Sequence, residues 1–172
     1  MIDDLKYIHQ RDSKDALGVA EKQWQQLEYE FTCKKSSVDV KNIVLAGMGG
    51  SALAGKISQS WPGYSVPFEI CSNYNIPKYV DSSTLFIASS YSGNTEETLA
   101  ALAAAESKGA NIAIITSGGK LKQIADEKDY ALVELPSGFQ PRTTAYYGLN
   151  ALITVLDSFN LVDGKKLKEE LK

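Results

Sequence analysis

The sequence predicts an α/β protein in which a doubly wound parallel sheet is covered by helices on both faces. Two observations predict this class. Five short apolar segments recur along the 172 residues, and most do not alternate with polar residues, which is typical of strands buried on both faces. Helical patterns separate most of these segments, and alternating strands and helices favour a three-layer αβα arrangement.

The predicted strands occupy the middle of the chain. In order, they are Asn42–Gly47, Val66–Cys71, Thr84–Ser89, Asn111–Thr116 and Tyr130–Leu135. The helices predicted to follow the first, third, fourth and fifth strands are Ser51–Gln59, Thr95–Lys108, Leu121–Glu127 and Tyr146–Phe159. The link between the second and third strands is predicted to be a loop. The last of these helices is apolar on nearly all sides, which predicts burial between layers or at an interface.

Helical patterns also lie outside the predicted sheet. One long helix is predicted over residues 13–31, because its apolar residues form a single stripe. The stripe consists of Leu17, Ala20, Trp24, Leu27 and Phe31. It is expected to pack on the sheet or to contact a second subunit or domain. We therefore expect a helical arm at residues 1–35, a sheet domain at 36–161 and a helical tail at 162–172.

Composition and charge restrict the class of function. The 18 Lys and Arg against 21 Asp and Glu give a net charge of −3, without the basic field typical of nucleic-acid binding. No apolar segment approaches the ~20 residues of a membrane span, and residues 1–15 lack the apolar core of a signal peptide. Cys33 and Cys71 form no metal or disulfide motif, and His9 is poorly placed for a catalytic triad. A cytoplasmic protein without metal, membrane or nucleic-acid partner is expected.

A glycine-rich loop, Gly47–Ala52, follows the first predicted strand. Glycines let the backbone approach a ligand, and the start of the next helix attracts anions. Two nucleotide-binding patterns nearly match. The dinucleotide fingerprint fits residues 47–52 with Glu69 as ribose acid, and the P-loop fits residues 50–56, although Ile57 replaces its Ser or Thr. A nucleotide site is therefore an alternative for this loop.

Hydroxyl side chains are concentrated after the third predicted strand. Ser90, Ser92 and Thr95 can all donate to one phosphate at the start of the next helix. Asn94 with Glu97 resembles a capping box, so a purely structural turn is the alternative. More hydroxyls are present than a cap needs, which favours ligand binding.

A cation follows the fifth predicted strand, in the segment Gln140–Thr143. Pro141 suits the entry to a helix, where the positive charge of Arg142 opposes the helix dipole. Arg142 is therefore predicted to bind an anionic ligand or to stabilise an anionic transition state, and a surface or ion-paired arginine is the alternative.

Together these loops resemble the sugar isomerase (SIS) domain family. Ser90–Glu97 is similar to the S-x-S-G-x-T-x-E phosphate loop of that family, and Gly47–Ser51 with Gln140–Thr143 resembles the bifunctional phosphoglucose/phosphomannose isomerases. The resemblance implies a flavodoxin-like SIS fold with five parallel strands in the order 2-1-3-4-5. It also implies residue roles: phosphate binding by Ser90, Ser92 and Thr95, contact with the sugar by Gly50 and Ser51, and stabilisation of an enediolate by Arg142.

The implied activity is aldose–ketose isomerisation in glycolysis or gluconeogenesis. Glucose 6-phosphate or mannose 6-phosphate would be interconverted with fructose 6-phosphate by a base that moves a proton between C2 and C1, without metal or cofactor. The isomerases that this sequence resembles have two SIS domains in tandem. Their catalytic base comes from the second domain or from a neighbouring subunit. Residues 36–161 are then expected to be one SIS domain and residues 162–172 the start of a second. We expect the chain to be incomplete alone and to pair with a second SIS domain or as a homodimer. A non-catalytic sugar-phosphate sensor is the alternative function.

Overall fold

A computed structural model describes residues 4–13, 15–61 and 63–171. Its five strands are β1 (Asn42–Gly47), β2 (Phe68–Cys71), β3 (Thr84–Ser89), β4 (Asn111–Thr116) and β5 (Ala131–Glu134). They form one all-parallel sheet in the order β2-β1-β3-β4-β5, which confirms the predicted class and strand order. The three central strands have the predicted bounds. The two edge strands are shorter than predicted because each pairs on one side only.

The helices alternate with the strands as predicted. They are α1 (Leu5–Arg11), α2 (Ala16–Glu21), α3 (Gly50–Ser58), α4 (Glu96–Ser107), α5 (Gly119–Lys128), α6 (Ala145–Ser158) and α7 (Gly164–Glu170). Helices α3 to α6 lie within two residues of their predicted bounds, and residues 72–83 form a loop. Helix α7 lies in the predicted tail, whose residue 172 is outside the described residues. In the part of the chain that the structure describes, no helix is both long and apolar enough to cross a membrane.

Apolar layers cover both faces of the sheet. Alternate residues of β1 point to opposite faces of the sheet. Ile43 and Leu45 pack in the layer on one face, and Val44 and Ala46 pack in the layer on the other. Helices α3 and α6 cover the first face, whereas α4 and α5 cover the second. Helix α6 is buried on most sides, as predicted, because α3, α7 and the segment before β1 also contact it. Helices α3 to α5 all begin at the carboxyl edge of the sheet, which directs their first turns toward one region.

The prediction of one long helix over residues 13–31 is wrong. Helix α2 ends at Glu21, a 3-10 helix follows at Gln23–Glu28, and the chain from Tyr29 to Lys41 has no helix or strand. Asp12 starts α2 by accepting hydrogen bonds from two backbone N–H groups. Residues 1–3 of the predicted arm and residue 14 of the predicted helix lie outside the described residues.

The predicted apolar stripe does not form the buried face of this segment. The side chains of Leu17 and Trp24 are each 55% exposed, whereas the polar Gln26 is only 5% exposed. The amide of Gln26 is buried because it hydrogen-bonds to the backbone at Thr143 and Tyr147. Hydrogen bonds to distant residues therefore fix the position of this segment, together with the partly buried Leu27 and Phe31, the two stripe residues that pack against the core.

Candidate functional site

Four loops meet at the carboxyl edge of the sheet, and Tyr91 contacts the other three from the loop after β3. The backbone N–H of Tyr91 donates to Ser51 Oγ at 3.1 Å, and its carbonyl oxygen accepts from the N–H of Ser117 at 3.0 Å. Its phenol oxygen donates to the carbonyl of Pro136 at 2.8 Å. The loops after β1, β3, β4 and β5 are therefore joined into one surface. The sequence analysis considered only the small hydroxyls of this loop and missed Tyr91.

The three predicted phosphate-binding hydroxyls lie together in the segment Ser90–Thr95, which we call the hydroxyl loop. Ser90 Oγ is 2.7 Å from Thr95 Oγ1 and 3.5 Å from Ser92 Oγ. Ser90 is buried and also accepts a hydrogen bond from the N–H of Gly93 at 3.2 Å. Ser92 is exposed at the rim. Thus Ser90 fixes the shape of the hydroxyl loop, while Ser92 and Thr95 present oxygens beside it.

The first turn of α4 is open to an anion because no side chain caps it. The capping residue is Thr95, whose side chain accepts no hydrogen bond from the first turn. The predicted capping box of Asn94 and Glu97 is therefore wrong. Asn94 instead accepts a hydrogen bond from the N–H of Lys120 at 3.1 Å, at the start of α5. Free N–H groups at a helix start carry a partial positive charge, which favours a phosphate.

Gly93 lets the hydroxyl loop pack against the loop after β4. Its φ of +68° lies in the left-handed region, and a Cβ at this position would be 1.8 Å from the carbonyl oxygen of Gly118. The Gly93 carbonyl accepts from the N–H of Leu121 at 3.0 Å. Backbone contact between two loops therefore requires glycine at this position.

Gly50 and Ser51 connect the hydroxyl loop to Arg142. A Cβ at Gly50 would be 3.0 Å from the carbonyl oxygen of Pro141 and 3.7 Å from the Cα of Arg142. The start of α3 therefore packs directly on the 3-10 turn Pro141–Thr143, which we call the Arg142 turn. Ser51, the next residue, receives the hydrogen bond from Tyr91. All six predicted site residues thus belong to one contiguous surface.

Arg142 is exposed and makes no ion pair within the described ranges 4–13, 15–61 and 63–171. The alternative of an ion-paired arginine is therefore not supported, whereas the exposure of Arg142 is what a surface arginine would also show. A guanidinium keeps its charge at all ordinary pH values and offers five N–H donors. The backbone of Arg142 lies beside Gly50, so this charge is at the same edge of the sheet as the hydroxyl loop.

Two carboxylates near this edge, Glu69 and Glu134, are engaged with other groups. Glu69 accepts a 2.6 Å hydrogen bond from the phenol of Tyr79, and Glu134 pairs with Lys122 at 2.6 Å. Burial first, and then the hydrogen bond and charge of Glu69, raise the pKa of Tyr79. In the first turn of α4, the charges of Glu96 and then Glu97 raise the pKa of Tyr74, which lies in the loop after β2.

Two buried amides hold the Arg142 turn, and the sequence analysis singled out neither. Gln26 Nε2 donates to the carbonyl of Thr143 at 2.6 Å. Asn150 Nδ2, on α6, donates to the carbonyls of Gln26, Leu27 and Tyr29 at 2.7–3.2 Å. Gln26 is a surface residue type in a polar segment, whereas Asn150 lies in the helix predicted to be buried, so only the partners of Asn150 required the folded structure.

A cavity of about 500 Å³ lies elsewhere, between residues 27–32, α6 and α7. Its walls carry both acids and lysines, and desolvation lowers the pKa of Lys168 despite the nearby charge of Asp157. Lys168 Nζ donates to Thr154 Oγ1 at 3.0 Å. No hydroxyl-rich strand-end loop borders this cavity. We therefore place the candidate site at the carboxyl edge, where the polar groups converge.

Comparison with known proteins shows similarity to one family. A family model described as "SIS domain" matches residues 38–138. A bifunctional phosphoglucose/phosphomannose isomerase from Caldicellulosiruptor bescii is 42% identical over 127 residues, which cover 73% of this chain and 38% of that protein. A D-glucosamine-6-phosphate 4-epimerase from Sulfolobus acidocaldarius is 38% identical over 133 residues, which cover 75% of this chain and 42% of that protein.

Solved structures show the same fold at lower identity. The C-terminal domain of glucosamine-fructose-6-phosphate aminotransferase from Francisella tularensis matches with a TM-score of 0.60 and 20% identity. The match covers 88% of this chain and 44% of that one. The chain thus spans less than half the length of each of these three proteins.

Proposed function

The chain belongs to the SIS domain family, and from this membership we propose that it binds a hexose 6-phosphate as part of an aldose–ketose isomerase. The proposed reaction interconverts glucose 6-phosphate or mannose 6-phosphate with fructose 6-phosphate through an enediolate. One observation carries the proposal: Gly50 and Ser51 contact the Arg142 turn on one side and the hydroxyl loop on the other. This reaction would place the chain in the cytoplasm, in glycolysis or gluconeogenesis.

The phosphate is proposed to bind where the hydroxyl loop meets the first turn of α4. Ser92 and Thr95 supply hydroxyl donors, and the uncapped N–H groups of α4 supply further ones. Hydrogen bonds to a charged group contribute about 1.5–3 kcal/mol each. Ser90 keeps the loop in the required shape through its contacts with Gly93 and Thr95.

The sugar is proposed to extend over Gly50 and Ser51 toward Arg142. Removal of the C2 proton leaves negative charge on the C1 and C2 oxygens, and a fixed guanidinium stabilises this charge more than it stabilises the neutral sugar. Arg142 therefore acts on the transition state and on the enediolate. The phosphate anchors the substrate so that its reacting carbons stay near Arg142.

The general base is proposed to come from a second SIS domain or a second copy of this chain. Glu69 and Glu134 already pair with Tyr79 and Lys122. His9 lies on α1 and is exposed. We therefore assign none of these residues to proton transfer at C2.

The names of the two curated relatives support the binding of a hexose phosphate. They give weaker support for any single reaction, because the two names specify different reactions. Both names specify a phosphorylated hexose, but one protein is an isomerase and the other an epimerase. The proposed site explains the phosphate group that both substrates share, because the hydroxyl loop would bind that group. Arg142 would stabilise the negative charge that develops on the sugar during isomerisation.

The test is equilibrium binding measured by calorimetry on the whole chain. Fructose 6-phosphate and inorganic phosphate are expected to bind, and NAD⁺ is not. A further probe, 5-phospho-D-arabinonate, carries a carboxylate where the enediolate oxygens would be. We expect Arg142→Ala to weaken binding of this probe by about 10- to 100-fold, the effect of one lost charge-assisted hydrogen bond. Phosphate affinity should stay within about twofold.

Lys41→Ala is the matched control, because Lys41 is a cation that precedes β1 at the opposite edge of the sheet. It should change neither affinity. Failure of fructose 6-phosphate to bind would contradict the proposed site. Conversion of fructose 6-phosphate to glucose 6-phosphate by this chain alone, in a coupled assay, would contradict the proposed origin of the base.

A further inference from the structure

One buried side chain, Gln26, joins the N-terminal part of the chain to the Arg142 turn. Its Nε2 donates to the carbonyl of Thr143 at 2.6 Å, and its Oε1 accepts from the N–H of Tyr147 at 3.1 Å. Both ends of the amide are therefore used, one on the residue next to Arg142 and one on the first turn of α6. Gln26 and Arg142 both lie outside residues 38–138, which the SIS family model matches.

The Arg142 turn is too short to fix its own orientation. It is a single 3-10 turn of three residues, in which the N–H and hydroxyl of Thr143 both donate to the carbonyl of Gln140. On one side the turn packs on Gly50, and on the other side its Thr143 carbonyl meets Gln26. These two neighbours therefore help to set the position of the Arg142 backbone, together with buried Thr144, whose hydroxyl donates to the Pro141 carbonyl at 2.9 Å.

Gln26 is itself held firmly. Asn150, which is 1% exposed on α6, donates to the carbonyl of Gln26 at 3.1 Å and to two more carbonyls of the same segment. The 3-10 helix that carries Gln26 is thus tied to the most buried helix of the fold. A displacement of the Arg142 turn would break a buried hydrogen bond with Gln26, which is costly in a desolvated place.

We propose that Gln26 is a positioning residue, which orients Arg142 at the sugar end of the site through the Thr143 carbonyl. This inference rests on the proposed function, in which Arg142 stabilises negative charge on the sugar. Electrostatic stabilisation depends on the position of the guanidinium, and displacements of about 1 Å can cost two orders of magnitude in rate. Within the described part of the chain no hydrogen bond joins the hydroxyl loop to Gln26, so a change at Gln26 is expected to affect phosphate recognition less than it affects Arg142.

An amide is needed at position 26 because one donor and one acceptor are used at once. Met has nearly the same length and shape as Gln but neither hydrogen-bonding group. Asn keeps both groups on a side chain that is one methylene shorter, so it cannot reach Thr143 and Tyr147 together. Gln26→Met is therefore the primary variant, and Gln26→Asn is the second variant in case the first does not fold.

The experiment is a double-mutant cycle with two probes on the whole chain. Calorimetry measures binding of 5-phospho-D-arabinonate and of inorganic phosphate to the wild type, Gln26→Met, Arg142→Ala and the double variant. We expect Gln26→Met to weaken binding of the arabinonate about 10-fold and to leave phosphate affinity within about twofold. In the Arg142→Ala background, Gln26→Met should have no further effect, because its influence passes through Arg142.

Gln25→Met is the matched control, since Gln25 is exposed and adjacent in sequence. It should bind both probes like the wild type. Equal weakening by Gln26→Met in the presence and absence of Arg142 would overturn the inference, as would equal weakening for both probes. If the wild type bound neither probe, the proposed function would fail as well, whereas binding that is insensitive to Gln26 would overturn this inference alone.

Discussion

The hydroxyl loop and the Arg142 turn face the same candidate site but are held in different ways. The hydrogen bonds of the hydroxyl loop stay within the sheet domain, and their partners are at most 48 residues apart. The Arg142 turn depends on Gln26, which lies 117 residues before Thr143. Recognition of the phosphate and placement of the cation can therefore be damaged separately. This separation is open to test with three substitutions.

The largest effect is expected from Gly93→Ala, inside the hydroxyl loop. The new methyl group would overlap the Gly118 carbonyl, at 1.8 Å, in a backbone conformation that already disfavours alanine. We expect a loss of about 3 kcal/mol or more in the free energy of unfolding, together with loss of phosphate binding. Urea denaturation and calorimetry with inorganic phosphate measure the two effects.

Gly109→Ala provides the comparison for this prediction. Gly109 also has a positive φ, +72°, but no atom lies within 4 Å of a Cβ built on it. Only the conformational strain of about 1–2 kcal/mol remains, and phosphate binding should be unchanged. Similar losses for the two variants would mean that loop-to-loop contact at Gly93 is unimportant.

An intermediate effect is expected from Asn150→Ala, on the side of the Arg142 turn. Three carbonyls, one in a buried and two in partly buried hydrogen bonds, lose their shared donor, which should lower the free energy of unfolding by about 2 kcal/mol. Binding of 5-phospho-D-arabinonate should weaken while phosphate affinity is kept, because the hydroxyl loop is untouched. Equal weakening of both ligands would show that the two regions are not separable.

The smallest effect is expected from Trp24→Ala. Trp24 belongs to the apolar stripe that was predicted to pack on the sheet or to contact a second subunit or domain, and its side chain is 55% exposed. We expect a change below about 0.5 kcal/mol in the free energy of unfolding, as for an ordinary surface substitution. A loss larger than that of Asn150→Ala would show that apolar burial, not the buried amides, holds the N-terminal segment.

The parts of the fold that the sequence predicts well are those whose environment is uniform. Strands β1, β3 and β4 are buried on both faces, so continuous apolar segments mark their bounds. The six candidate site residues could be placed because loops at the carboxyl ends of parallel strands share one edge. Their contacts in the structure agree with that expectation, while their roles remain predictions.

The parts that sequence analysis missed depend on partners far along the chain. Gln26 is buried because it hydrogen-bonds to the carbonyl of Thr143 and the N–H of Tyr147. The spacing of apolar residues within 13–31 cannot predict these distant partners. The capping box failed for a similar reason. Asn94 has the right spacing for its own helix, but its side chain bonds to the start of α5 instead.

The long reach of the Gln26 and Asn150 contacts has a consequence for the order of folding during synthesis. Gln26 is made early, but its partners on and before α6 lie 117–124 residues later in the chain. At translation rates of about 5–20 residues per second, roughly 6–25 seconds separate the two. Residues 23–28 therefore leave the ribosome well before the residues on which they dock. Until then, the first face of the sheet lacks α6, and the chain is most exposed to aggregation and proteolysis.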